Sequence, residues 1–175
     1  MITEQRIEKA KQNFKTYRSE GLISKKSDEV AFQMLLKNAK ESLKAARLMY
    51  SNDFPMWTIV TSYYAMFYMA NAVLLSEGYK TGDKIVHKVT ADSLIVLVKP
   101  KLEEKILDDY EQTKEDALQI AEVKSDELVQ SFDYERSKRN TIQYQTTKTK
   151  ITSKAKTSLK RAKEFIFEME SFMSR

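Results

Sequence analysis

One long uncharged stretch, residues 54–76 (FPMWTIVTSYYAMFYMANAVLLS), constrains the fold more than any other feature of the chain. Charged residues make up 31% of the sequence, yet none falls in this stretch. Pro55 suits the first turn of a helix and Gly78 suits the left-handed residue beyond the last turn, so the stretch is predicted to form one helix. Its apolar residues cover nearly the whole circumference, so the helix must be buried on most sides, in a bundle core or in a membrane.

This stretch is long enough for a membrane span, which needs about 20 apolar residues. Its polar side chains argue against a span, because the core of a helical bundle hydrogen-bonds such groups more easily than lipid does. They are Thr58, Thr61, Ser62, Asn71 and three tyrosines. We therefore expect the core helix of a bundle and no association with a membrane.

Composition favours a helical protein. With 3 glycines and 2 prolines in 175 residues, the chain has few of the residues that the tight turns of a sheet require. We predict an all-α fold, an antiparallel up-and-down helical bundle of five to six helices in a single domain, residues 1–175. Residues 1–22 are expected to form an N-terminal helical extension and residues 27–173 the bundle. The chain has no cysteine and its N-terminal residues lack a signal-peptide pattern, which predicts a cytoplasmic protein.

Apolar residues at helical spacing predict the helices around the central one. The segment Lys84–Val98 is ambiguous because of its β-branched residues, and we favour a helix because a lone strand would have no partner for its backbone groups. The predicted landmarks are a first helix between Thr3 and Gly21, a second opened by Ser27, a flexible connection at Gly78–Asp83, a polar helix from Pro100 to about Ser131, and a last helix from about Thr149.

Charge is distributed unevenly along the second half of the chain. The segment Glu103–Glu135 has twelve acidic residues and three lysines, whereas Arg136–Lys163 has ten basic residues and no acidic one. A concentrated positive field attracts phosphate backbones. The alternative is that the basic segment is a solvated helix face, partly neutralised by the acidic helix before it.

Few residues in this chain could carry chemistry. One histidine and no cysteine exclude His-rich and thiolate metal sites, and no glycine loop for phosphate is present. We therefore expect no metal site and no cofactor. What stands out is the segment 134–144 (YERSKRNTIQY), in which an arginine can grip a phosphate and a tyrosine can stack on a base. The alternative is a polar junction between two helices.

Three segments together resemble the HEPN superfamily: Ser62–Phe67 (SYYAMF), Arg139–Tyr144 (RNTIQY) and Ala162–Ile166 (AKEFI). The resemblance covers most of residues 31–173. It implies an antiparallel helical bundle, usually dimeric, that is linked to RNA or nucleotides. Many members are metal-independent ribonucleases of toxin–antitoxin or defence systems.

The family's ribonuclease motif is only partly present. By the resemblance, Arg139 is the motif arginine and Asn140 the polar residue that commonly follows it. The motif histidine is missing, because Tyr144 stands at the nearest position, and a phenol with a pKa of about 10 is a poor base near neutrality. The candidate catalytic residues are therefore Arg139, Asn140, Tyr144 and the distant His87. The candidate RNA contacts are Arg136, Lys138, Arg139, Lys148, Lys150 and Lys154.

The sequence thus predicts a HEPN-like homodimer that binds RNA or a nucleotide and has lost or weakened its ribonuclease activity. An alternative is a protein-interaction module that pairs with a minimal nucleotidyltransferase through the acidic helix, and another is a structural helical dimer. The hydroxyls of Ser62, Tyr63 and Tyr64 need partners on a buried helix, and the cluster around Arg139 and Asn140 is their expected source.

Overall fold

The computed structural model describes the backbone of residues 2–102, 104–132 and 141–174, and the side chains of residues 2–102, 105–120 and 151–174. Within these ranges it contains six α-helices and one small antiparallel sheet, which confirms the predicted all-α fold. The helices are α1 (Glu4–Ser19), α2 (Glu29–Ser51), α3 (Pro55–Ser76), α4 (Val86–Leu97), α5 (Glu104–Phe132) and α6 (Thr141–Met173). The strands are β1 (Ile23–Lys25) and β2 (Tyr79–Thr81), and a 3₁₀ turn, Lys99–Lys101, follows α4.

Helix α3 is the centre of the bundle, as its uncharged sequence predicts. It packs against α2, α4, α5, α6 and β2. It is also the one helix of the described residues that is long and apolar enough to cross a membrane, and 78% of its most apolar window is buried inside the protein. Burial by neighbouring helices on most sides therefore accounts for its lack of charge. Its fully buried side chains include Ile59, Met66, Met69, Val73 and Leu74.

The ends of α3 follow the predicted signals. Pro55 occupies the first turn, where its missing N–H costs no helical hydrogen bond. Gly78 adopts φ 83°, and its N–H donates to the carbonyl of Leu75 at 3.0 Å, which closes the helix. Helix α2 differs by one residue from the prediction, because Asp28 rather than Ser27 caps it and accepts the N–H of Ala31 at 3.0 Å.

A two-stranded sheet occupies the connections that the sequence left without structure. Strand β1 pairs with β2 in antiparallel register, with Ile23 opposite Thr81, within the segment predicted to be a flexible connection. The backbone groups of each strand are therefore paired with those of the other. The predicted helix over Lys84–Val98 is confirmed as α4. Buried Asn71 of α3 ties these elements together, since its Oδ1 accepts the hydroxyls of Thr81 at 2.7 Å and Thr90 at 3.2 Å.

The last helix is longer than predicted. Helix α5 ends at Phe132, close to the expected Ser131, but α6 begins at Thr141 rather than near Thr149. Residues 141–148 carry too little apolar periodicity to reveal a helix. They also contain no glycine or proline to stop one, so the helix extends toward the N-terminal side of the apolar repeat.

Ion pairs link the acidic helix α5 to the basic helix α6. Asp109 accepts Nε of Arg161 at 2.8 Å, and Asp116 accepts Nζ of Lys154 at 2.7 Å. A third pair of opposite polarity joins Lys105 to Glu164 at 3.3 Å. The acidic helix therefore neutralises part of the basic one, as the alternative interpretation of the charge pattern predicts.

A buried carboxylate fastens α1 to the rest of the bundle. The side chain of Asp92 on α4 is almost inaccessible, with the residue 1% exposed. Its two oxygens receive Nη1 of Arg6 at 2.6 Å, Nδ2 of Asn13 at 2.8 Å and the hydroxyl of Tyr17 at 2.8 Å. Arg6 also donates to Glu111 of α5 at 2.9 Å. One carboxylate thus joins α1 to α4, and its arginine partner extends the link to α5.

Candidate functional site around His87

The single histidine lies in the first turn of α4, against the central helix α3. The residue before this helix, Ile85, adopts the left-handed conformation at φ 44°, which is strained for a β-branched side chain. The imidazole of His87 packs on the ring of Phe67, with centroids 4.4 Å apart, and against the ring of Tyr64 at 6.1 Å. A strained turn therefore holds a half-buried imidazole on an aromatic surface.

A hydrogen bond fixes the orientation of this imidazole. The hydroxyl of Tyr63 lies 2.8 Å from Nδ1 of His87. Tyr63 is 2% exposed, and burial raises the pKa of its phenol, so the hydroxyl keeps its proton at neutral pH. The neutral ring has two tautomers. In one, Nδ1 accepts a hydrogen bond from the Tyr63 hydroxyl and Nε2 carries the proton. In the other, Nδ1–H donates to the phenol oxygen and Nε2 has a free lone pair.

Burial, and secondarily the cation of Lys114, lower the pKa of His87 below its usual value of 6.5. The ring is therefore neutral at pH 7. Lys114 lies on α5 and pairs with Glu111 at 2.8 Å, which also holds Arg6. The site thus contains a neutral, oriented imidazole, which can accept a proton, beside an ammonium group that is paired with Glu111.

Tyr110 of α5 forms the inner wall of the site. Its ring lies 6.0 Å from that of Tyr63 and stacks on Phe165 of α6 at 5.4 Å. Burial raises the pKa of Tyr110, and so does the neighbouring Tyr63 hydroxyl. The geometry nevertheless falls short of a hydrogen bond, so within the described residues the Tyr110 hydroxyl is buried and unpaired.

The predicted motif residues fall largely outside the part of the chain that the structure describes. Residues 136–140, which include Arg136, Lys138, Arg139 and Asn140, lie outside it altogether. Tyr144, Lys148 and Lys150 are placed on the backbone of α6, but their side chains also lie outside the described ranges. Whether they meet His87 therefore stays a prediction. The remaining candidate, Lys154, is paired with Asp116.

For the three α3 hydroxyls that were predicted to bond to the cluster around Arg139 and Asn140, the structure identifies one partner. The hydroxyl of Tyr63 forms its hydrogen bond with His87, which lies outside the predicted cluster. The hydroxyl of Ser62 is buried without a partner among the described residues. Tyr64 is partly exposed at the edge of the imidazole.

Two residues of the site escaped the sequence analysis. In the sequence, Tyr110 has the helical spacing of an apolar face, and Lys114 is one of the three lysines in the acidic segment. Their spacing of four residues places both on one face of α5, which is the signal that could have linked them. Among the described side chains, no three histidine, aspartate or glutamate residues converge as metal ligands.

Titration of His87 makes a prediction for stability. Its pKa is lower in the folded chain than in the unfolded one, so between these two values the unfolded chain binds more protons. The free energy of unfolding should therefore fall as the pH drops below about 6.5. Urea unfolding from about pH 7 to pH 5 should show a smaller loss for His87→Gln than for the wild type. Parallel profiles would contradict the lowered pKa. Asp28 does not interfere, because Lys80 lowers its pKa below 3.8, outside this range.

Comparison with known proteins agrees with the resemblance seen in the sequence. No curated protein matched the chain. The family model described as HEPN domain matches residues 32–172, which is most of the chain and runs from α2 to the last turn of α6. The protein therefore belongs to the HEPN domain family.

Proposed function

We propose that this protein binds RNA and cleaves it weakly, without a metal ion, with His87 as its proton-transfer residue. Membership of the HEPN family is consistent with an RNA- or nucleotide-related role. The observation that carries the proposal is the 2.8 Å bond between Tyr63 and His87 Nδ1, because it orients a neutral imidazole at a partly exposed position.

The chemistry follows from the tautomer in which Nδ1–H donates to the Tyr63 oxygen. The lone pair on Nε2 then accepts the proton of a ribose 2′-hydroxyl as its oxygen attacks the adjacent phosphorus. The bond from phosphorus to the 5′-oxygen breaks, a 2′,3′-cyclic phosphate forms, and the leaving oxygen takes up a proton from the imidazolium or from water. Lys114 helps to keep the imidazole neutral before the proton transfer, and Arg139 is expected to stabilise the phosphate.

The lowered pKa of His87 also explains why the activity should be weak. A general base works best when its pKa is close to the working pH, and burial together with Lys114 moves the pKa of His87 below that point. The ring is neutral and available at pH 7, but it attracts a proton less strongly than an exposed histidine. Slow cleavage is the result.

The test is cleavage of single-stranded RNA in the presence of a metal chelator. We expect slow formation of 2′,3′-cyclic phosphate ends by the wild type and a loss of roughly 10²-fold in rate for His87→Gln. Tyr63→Phe should reduce the rate less, because the imidazole of His87 is retained but loses the hydrogen bond that orients it. Tyr110→Phe is the matched control, since it removes an unpaired hydroxyl from the same cluster. Undiminished cleavage by His87→Gln, or none by the wild type, would refute the catalytic role.

The wider setting of this function is also a proposal. A homodimer is supported by three exposed aromatic side chains, those of Trp57 and Tyr64 on α3 and of Phe54 at its N-terminal cap. A nucleotidyltransferase partner in a toxin–antitoxin or defence system stays a prediction from the resemblance, as does a cytoplasmic location. Part of the acidic helix is already engaged within the chain, because Asp109, Glu111 and Asp116 form ion pairs.

A further inference from the structure

A second candidate site lies away from His87, in a groove between α2 and α6. The groove has a volume of ≈ 700 Å³. Its floor contains Leu43 and Ile166, which are buried and hold the two helices together. Its other lining residues are Lys40, Lys44 and Arg47 of α2, and Lys163, Phe167 and Glu170 of α6.

Positive charge dominates this groove. The carboxylate of Glu170 lies 3.2 Å from Nζ of Lys40 and balances that lysine. The described side chains provide no ion-pair partner for Lys44, Arg47 or Lys163. Three cations, two on α2 and one on α6, therefore line the groove without a counter-charge from the described residues, which favours an anionic ligand.

An exposed aromatic ring accompanies these cations. Phe167 is 65% exposed and stands one helical turn from Lys163 on the same face of α6. A single exposed ring is common on protein surfaces, but a ring among unpaired cations suits a ligand that has both anionic and flat aromatic parts. A single strand of nucleic acid has phosphates for the cations and a base to stack on the ring. An acidic peptide would leave the ring unused, and a duplex would hide its bases.

The placement of the cations also fits a strand. Lys44 and Arg47 lie three positions apart on one face of α2, and Lys163 lies on α6, so the unpaired cations are distributed over both walls of the groove. Several neighbouring phosphates can therefore contact the groove at once.

The geometry points to the α2–α6 groove as a binding site for single-stranded nucleic acid, independent of base sequence and of the 2′-hydroxyl. The phosphates bind to Lys44, Arg47 and Lys163, and one base stacks on Phe167. Only the RNA arm of this inference rests on the proposed function, because a strand of DNA fulfils the same requirements at the groove.

The experiment measures binding of fluorescent thymidine and uridine oligonucleotides by anisotropy at several salt concentrations. The groove variant combines Lys44→Ala, Arg47→Ala and Lys163→Ala. The control variant combines Lys9→Ala, Lys15→Ala and Arg18→Ala, which remove the same charge from exposed positions of α1. We expect the groove variant to lose about tenfold or more in affinity for both oligonucleotides, and its salt dependence to flatten by about two units of slope. The control variant should lose less than about twofold.

Phe167→Ala supplies an independent test of base stacking. We expect a loss of about fivefold or more in affinity with an unchanged salt slope, because the stacking contact carries no charge. Circular dichroism should show that every variant is folded.

Equal affinities for the groove and control variants would overturn the inference, as would equally tight binding of polyglutamate or an inert Phe167→Ala. The two proposals can fail separately. If cleavage depends on His87 but the groove variant binds normally, only the groove proposal is rejected. If thymidine binding depends on the groove but no RNA is cleaved, only the catalytic role of His87 is rejected.

Discussion

Replacing Asp92 with alanine is expected to lower the free energy of unfolding by about 3–5 kcal/mol, the range observed when one partner of a buried ion pair is removed. The carboxylate is 1% exposed and receives Arg6, Asn13 and Tyr17. Without it, three polar groups of α1 lose their shared acceptor, and the guanidinium retains only Glu111. Equilibrium urea unfolding followed by circular dichroism measures the loss.

Two further variants separate this network from a general effect of removing an aspartate. Asp83→Ala removes an exposed aspartate nine positions earlier and should change stability by less than about 0.5 kcal/mol. Asp92→Asn keeps the shape and an acceptor but not the charge, so its loss should be intermediate. If Asp92→Ala were as stable as Asp83→Ala, α1 would not be held by this carboxylate.

Replacing Phe165 with alanine is expected to cost about 3–5 kcal/mol of folding stability, as is usual for a buried phenylalanine. Its side chain is 0% exposed and stacks on Tyr110, which in turn flanks Tyr63. The cavity would open between α5 and α6, directly behind the candidate site. Urea unfolding measures the loss, and the rate of RNA cleavage by the folded fraction reports any displacement of His87.

Helix α6 offers a matched control for this change. Phe167→Ala is the same substitution two residues later, where the side chain is 65% exposed, and it should alter stability by less than about 0.5 kcal/mol. Similar losses at both positions would show that the cost reflects helix formation rather than core packing, and would contradict the described orientation of α6.

The central helix could be predicted because its signals are local. A run without charge requires burial, Pro55 and Gly78 mark its two ends, and all of these can be found without knowing the fold. The small sheet could not be predicted in the same way. Its strands are three residues each, too short for a period, and they are defined by pairing between segments far apart in the chain.

The candidate site shows the same division between local and distant information. His87 was noticeable as the single histidine, and a buried Tyr63 had to find a partner, but only the packing of α4 on α3 brings the two together. The Asp92 network was still harder to predict from the sequence, because its partners on α1 precede Asp92 by 75 or more positions. Residues of one chemical type can be found in a sequence, whereas their convergence depends on the tertiary fold.

The central claim, that RNA contacts the His87 site, can be measured directly because the chain contains one histidine, whose imidazole signals in an NMR spectrum need no assignment. Adding single-stranded RNA should shift the imidazole resonances of the wild type, and the shifts should persist in the groove variant at saturating RNA. Imidazole resonances that do not move while RNA is demonstrably bound would contradict the account.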